Sequence, residues 1–199
     1  MMSETAGSDT PSHNQTHLNA ITHQELTQFL GGEAPILSKI GLIIKGAKKR
    51  MILDTKESGL KHCSAKHQRV LLPRLLDAIT QGLNLLSECG AEESVDWFVL
   101  DYSDAFWQVP LHPDERRFFC AKVSIRGKWQ FVVFLRTVQG SRAAPLSWAR
   151  VAAILMRLTQ STVDNAHLHC FVDDPIASIR GTKQAKHSTA ALMVLIWEA

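Results

Sequence analysis

The stretch Val99–Glu115, VLDYSDAFWQVPLHPDE, sets two aspartates, Asp101 and Asp104, directly behind an apolar run and just ahead of aromatic residues. Aspartate is a poor strand former and is costly to bury unpaired, so carboxylates here require either a cation or a helix start. A second acidic pair, Asp173-Asp174, follows another apolar run, Leu168–Val172. If the two runs are neighbouring strands, Asp101, Asp173 and Asp174 reach the same sheet edge. Carboxylates gathered at one point repel one another, and hard divalent cations relieve that repulsion through oxygen ligands. Magnesium is the natural candidate. The spacing also admits a plain structural reading, with Asp173-Asp174 as a hairpin turn and Asp101 as a helix cap.

Outward from that stretch the chain alternates short helices and strands. Residues 1–20 are rich in Ser, Thr, Asn and His without apolar periodicity, and are expected to form a disordered leader. Thr22 and Glu25 have capping-box spacing ahead of a short helix that Gly31-Gly32 ends. Ile36–Leu53 reads as a hairpin carrying Lys45, Lys48, Lys49 and Arg50, with a solvated loop as the other reading. Aliphatics at helical spacing from Arg74 to Leu86 predict a helix that stops by Gly90. Trp97–Leu100 is a continuous apolar run that predicts a buried strand ending at Asp101. Phe118–Ser124 and Trp129–Leu135 flank Arg126-Gly127-Lys128, a hairpin signal. Ala144–Leu158 is helical, with Leu146, Ala149, Ala153, Ile154 and Leu158 on one side. Strands at Leu168–Val172 and Ile176–Ile179 bracket the acidic turn, and Pro175 is expected to put the second toward a sheet edge. Thr182 can cap a last helix running into ALMVLIWEA, an apolar end expected to need a covering partner.

Composition bounds the function. With 199 residues and 45% apolar content the chain can bury a core, and a net charge of +3 suits a polyanionic partner without the strong basicity of a nucleic-acid coat protein. The four cysteines, Cys63, Cys89, Cys120 and Cys170, lack CxxC spacing, and no signal-peptide pattern opens the chain, so an intracellular, reduced setting is expected, with neither nucleus nor cytoplasm favoured. The longest apolar run is too short to span a membrane. His167, His169 and Cys170 alternate across one strand, Cys120 lies far off in sequence, and Cys63 with His67 has no second pair, so zinc is disfavoured. Neither a GxSxG elbow nor a P-loop is present.

Four blocks carry a resemblance. DYSDAFWQVPL resembles the first catalytic block of reverse transcriptases, an aspartate, two variable residues, then Asp-Ala-Phe/Tyr and an apolar-Pro-Leu tail. TVQGSRAAPLSWAR resembles the Pro-Gln-Gly block with its Pro-led helix start, and FVDD resembles the Tyr-x-Asp-Asp signature. RMILDTKESGL with LPRLLDAI resembles the upstream fingers block. The blocks occur in the family's order over Ile36–Ala199, so the chain is similar to retroelement-type RNA-directed DNA polymerases.

The resemblance implies an α+β fold: a polymerase palm on a ferredoxin-like split βαβ plan with partial fingers. It places a short helix and partial fingers in 21–96 and the palm in 97–199, ending ahead of the primer-grip segment, thumb and RNase H regions. Asp101, Asp173 and Asp174 would be the catalytic carboxylates holding two Mg²⁺ ions, with Mn²⁺ as a substitute. Arg50 would contact the triphosphate of a dNTP, with Lys48 or Lys49 sharing that work. Asp104 and Ala105 would offer backbone N–H groups to the triphosphate, and Asp104 is expected to cap and shape the turn. Phe106 would pack on the sugar and reject a 2′-hydroxyl. Gln139 and Gly140 would lie by the nucleotide and template. An ion pair is expected for Asp54 and Lys56. The implied partners are an RNA template, a DNA primer and dNTPs.

Phe171 stands where the family has Tyr, Val138 where it has Pro, and Pro175 follows the acidic pair. Two other readings remain at this stage: a truncated or degenerate fragment that binds nucleic acid without catalysis, and an RNA-directed RNA polymerase, which Phe106 disfavours.

Overall fold

The structure, a computed structural model, describes residues 20–46, 48–64 and 68–198. Nearly all of the expected leader, His67 of the Cys63 pair and the last residue lie outside them. In chain order the elements are α1 (His23–Phe29), β1 (Leu37–Lys45), β2 (Lys48–Asp54), α2 (Leu60–Cys63), α3 (Leu75–Ser87), β3 (Ser94–Val99), β4 (Cys120–Ile125), β5 (Lys128–Val133), α4 (Ala144–Gln160), β6 (Ala166–Phe171), β7 (Asp174–Gly181) and α5 (Lys183–Glu198). Two 3₁₀ turns, Ala105–Gln108 and Pro113–Phe118, lie between β3 and β4.

Local chemistry accounts for the hairpins and caps. Glu25 N donates to the Thr22 hydroxyl while Thr22 N donates to Glu25 at 2.7 Å, the reciprocal box that starts α1. Arg126 and Gly127 both take positive φ, 51° and 76°, the conformation that a two-residue turn needs to match strand twist, and β4 and β5 pair across it. Thr182 accepts the Ala185 amide at 3.3 Å and opens α5.

The strands form two sheets. One has the order β2-β1-β4-β5, with β1 and β4 parallel and both hairpins antiparallel. The other has the order β3-β7-β6. Because β7 is antiparallel to both neighbours, β3 and β6 run parallel on either side of it, joined in sequence through α4 as a split βαβ unit. Leu53, Leu111, Ala121, Phe134 and Val138 make the core against the first sheet. Val163, Ala166, Ala177, Ile179 and Met193 make the core between the second sheet and α5. Among the described residues no helix is long and apolar enough to cross a membrane.

The expectations for two strands and for the apolar side of α4 are corrected. β3 is an edge strand, with Trp97 48% and Val99 59% exposed, so its apolar run does not mark a buried strand. β7, by contrast, is the central strand despite Pro175. The proline is tolerated because Phe171 and Asp174 close the turn, which makes Cys170–Pro175 a non-hydrogen-bonded pair on the β6 side. On the β3 side Leu100 N donates to Pro175 O at 3.1 Å, and with no N–H to return a bond the ladder ends there.

In α3 the buried residues are Ala78, Gly82 and Leu85, while Leu75, Leu76 and Leu83 are exposed. The Trp97 indole lies so close that a Cβ on Gly82 would stand 2.8 Å from it, so small residues face the sheet. In α4 the buried stripe is Ala144, Trp148, Ala152 and Thr159, leaving Ile154 and Leu158 exposed. The stripe is rotated from the aliphatic one because Trp148 is drawn inward by a hydrogen bond described below. The apolar end of α5 is partly covered within the chain: Met193 is fully buried and Trp197 packs on the same core, while Leu195 stays 66% exposed.

The burial of α3 is testable by thermal denaturation. Leu83→Ala is expected to change stability by less than about 0.5 kcal/mol, and Ala78→Leu to destabilise by about 1–3 kcal/mol through overpacking.

Candidate active site

A cavity of about 500 Å³ opens where the loop after β3 meets the acidic turn and the end of the first sheet. Asp101 and Asp173 both line it, as do Arg50, Asp104, Ala105, Phe106 and Gln139. Seven of the nine residues singled out from the sequence thus face one space, while Asp174 and Gly140 are not part of its lining.

The loop after β3 is held from three sides. Tyr102 N donates to Asp173 O at 2.9 Å, which carries the strand pairing one step beyond the ladder and joins the Asp101 loop to the acidic turn. Thr137 Oγ1 donates to the Phe106 carbonyl, and Thr137 N to Val109 O at 2.8 Å. Arg136 donates to the carbonyls of Trp107 and Gln108 at 3.4 and 3.1 Å. Asp104 takes the left-handed conformation, φ 53°, and makes no side-chain cap; it shapes the turn by its carbonyl, which accepts Trp107 N at 2.7 Å. The expected side-chain cap is therefore replaced by a backbone one, and the carboxylate is exposed.

Gly140 acts on the other flank. Its φ is +102°, and a Cβ there would stand 2.1 Å from the Leu53 carbonyl oxygen. Only glycine lets the chain pass so close to β2. Leu53 N then donates to Gln139 O at 2.9 Å and Thr55 Oγ1 to Gly140 O at 2.9 Å, and these bonds fix Gln139 beside the strand that carries Lys49 and Arg50. The glycine approaches β2 itself. Asp54 accepts the Lys56 backbone amide at 3.0 Å, a turn contact in place of the expected ion pair.

Among the described residues none of Asp101, Asp173 and Asp174 is paired with a basic side chain, so these hard oxygen donors are free to meet a cation. Asp101 and Asp173 share the cavity, Asp174 begins β7 one residue further on, and no group of three His, Cys, Asp or Glu side chains is gathered as a metal cluster among the described residues. The expected convergence of three carboxylates is in this structure a convergence of two. Behind the turn, burial and then the charges of Asp173 and Asp174 push the Cys170 thiol up to about 11, so it stays protonated at neutral pH. Burial also raises the Tyr102 phenol, whose oxygen has no hydrogen-bond partner among the described residues, and lowers His169. Cys120 lies in β4 of the other sheet, apart from His169 and Cys170 in β6.

The family described as reverse transcriptase (RNA-dependent DNA polymerase) matches residues 10–198. The chain belongs to the reverse transcriptase family. No curated protein matches it. The reverse transcriptase assignment makes the chain a member of a nucleotidyltransferase class that acts on nucleic acid template, primer and dNTPs and generally uses divalent metals.

Several residues that line the cavity were not singled out from the sequence: Met51, Tyr102, Ser103, Trp107 and Gln108. Four of them fall inside the quoted stretch, where a 3₁₀ turn brings alternate faces to the cavity that a strand or α-helical period would separate. Thr137 and Arg136 carried no signal beyond lying just ahead of Gln139.

Gly140→Ala is expected to lower the melting temperature by at least about 5 °C, since left-handed strain and a backbone clash together cost about 2–3 kcal/mol. An unchanged melting curve would show that the chain does not pass Leu53 so closely.

Proposed function

We propose that this chain is the catalytic portion of an RNA-directed DNA polymerase that adds dNTPs to a primer 3′-hydroxyl on an RNA template. The carrying observation is one cavity lined by Asp101, Asp104 and Asp173, none of them ion-paired among the described residues, together with Lys49, Arg50, Phe106 and Gln139. A nucleoside triphosphate offers a polyanionic end for the basic residues and an apolar sugar face for the aromatic one. On this reading β3, β7 and β6 with α4 and α5 form the palm, and the β1–β2 hairpin forms part of the fingers.

Each residue then has a task. Arg50, with Lys49 beside it, binds the triphosphate by charge-assisted hydrogen bonds. The N–H groups of Asp104 and Ala105, at the start of the 3₁₀ turn, have no carbonyl to meet within it and would receive phosphate oxygens. Phe106, its backbone fixed through Thr137, packs on the sugar and leaves no room for a 2′-hydroxyl. Gln139 and Gly140 hold the nucleotide and template side of the cavity against β2. Asp101 and Asp173, with Asp174 next to them, would hold divalent cations, Mg²⁺ first and Mn²⁺ as substitute. Such ions, when bound, supply positive charge that activates the primer hydroxyl and stabilises the pyrophosphate leaving group. Template and primer would be held mainly by phosphate contacts from basic surface residues.

Primer extension on a primed RNA template with Mg²⁺ tests this reading. Wild-type protein is expected to incorporate dNTPs, and Asp173→Asn to lose about 100-fold or more, the scale of removing one preorganised electrostatic contact. A folded wild type that incorporates nothing would contradict it and favour a fragment that only binds nucleic acid. Phe106→Ala is expected to raise rNTP use relative to dNTP by at least about tenfold, read as the ratio of the two kcat/KM values.

A further inference from the structure

Val172 is a β-branched residue at φ 63°, immediately before Asp173. A branched side chain in the left-handed region is strained, and such strain persists only where surrounding contacts over-determine the backbone. The contacts are visible. Trp148 Nε1 donates to the Val172 carbonyl at 2.7 Å, and Cys170 Sγ donates to the same oxygen at 3.4 Å. Trp148 is 2% exposed and lies in a cluster with Ala105 and Ala152, onto which Tyr102 and Phe106 pack. Its indole also meets the Tyr102 ring edge-on at a centroid distance of 5.1 Å, and Tyr102 N is the group that bonds Asp173 O.

We propose that Trp148 is a positioning residue, its indole N–H holding the Val172 carbonyl and with it the left-handed turn that presents Asp173. The inference rests on the polymerase reading for its effect on turnover. A phenyl or aliphatic side chain could fill the same core position, but only a ring with a donor reaches the carbonyl. The need is mutual, because a buried indole N–H without an acceptor is itself costly. Trp148 does not itself line the cavity; it acts from behind the lining, through the turn on one side and through Tyr102 on the other.

The test is a cycle of Trp148→Phe and Val172→Gly in the primer-extension assay, with dTTP varied. Trp148→Phe removes the donor and keeps an aromatic ring. It is expected to lower kcat by about 10- to 100-fold, the cost of a misplaced reacting group, with KM for dTTP within about twofold because Arg50 and Gln139 lie on other elements and the aromatic ring that supports Phe106 is kept. Val172→Gly adopts the left-handed backbone without strain and is expected to keep kcat. In that background Trp148→Phe should cost less than about threefold, whereas a tryptophan that merely fills the core would cost the same in both. Equal losses in the two backgrounds overturn the proposal, as does full kcat in Trp148→Phe.

A second readout needs no catalysis and no folded Trp148→Phe. In wild type the Trp148 indole proton should exchange with solvent at a measurable rate, and in Val172→Gly, where no backbone strain pulls against the hydrogen bond, more slowly. Equal exchange in the two proteins overturns the clamp. A wild type without polymerase activity would defeat the proposed function instead, and the exchange comparison then decides the clamp alone.

Discussion

The hydrogen bond from Tyr102 N to Asp173 O is the constraint on which the site depends. Pro175 ends the β3–β7 ladder at Leu100, so without a further tie the loop after β3 would part from the hairpin just where both carry their aspartates. The tie restores one contact beyond the break. Asp101 and Asp173 are therefore held at a common cavity by backbone, and neither is paired with a basic side chain among the described residues.

The rest of the site shows backbone strain offset by packing. Asp104 and Val172 take positive φ without being glycine, and Gly140 takes it against the backbone of β2. Each lies on or beside the cavity. Each is flanked by a hydrogen bond that holds the odd geometry: Asp104 O with Trp107 N, Val172 O with Trp148, Gly140 O with Thr55. A site assembled this way is ordered before any ligand arrives, so binding need not supply the ordering free energy.

Much of this was legible in the sequence wherever the determinant is local. The capping box at Thr22 and the Arg126-Gly127 turn are short-range chemistry, and the structure has them where the residues predict them; the acidic hairpin is also present, but its turn falls one residue early, at Val172-Asp173, with Asp174 already in β7. The cavity also gathers most of the residues that the four sequence blocks single out. What stayed hidden depends on partners distant in sequence. Periodicity alone could not tell that Trp97 presses on Gly82 and so turns the leucines of α3 outward. Nor could it show that Trp148 finds an acceptor 24 residues away and rotates the buried stripe of α4. Pro175 pointed to an edge because proline usually does; here hydrogen-bond alternation and the end of a ladder accommodate it in the centre.

If Asp101 and Asp173 form one metal-dependent nucleotide site, both carboxylates must reach the same ion. Anomalous diffraction from crystals grown with Mn²⁺ and a dNTP tests it most directly. An anomalous peak is expected between the Asp101 and Asp173 carboxylates, with the triphosphate reaching toward Arg50. A fully occupied nucleotide or Mn²⁺ bound elsewhere, with no peak at those two aspartates, would contradict it.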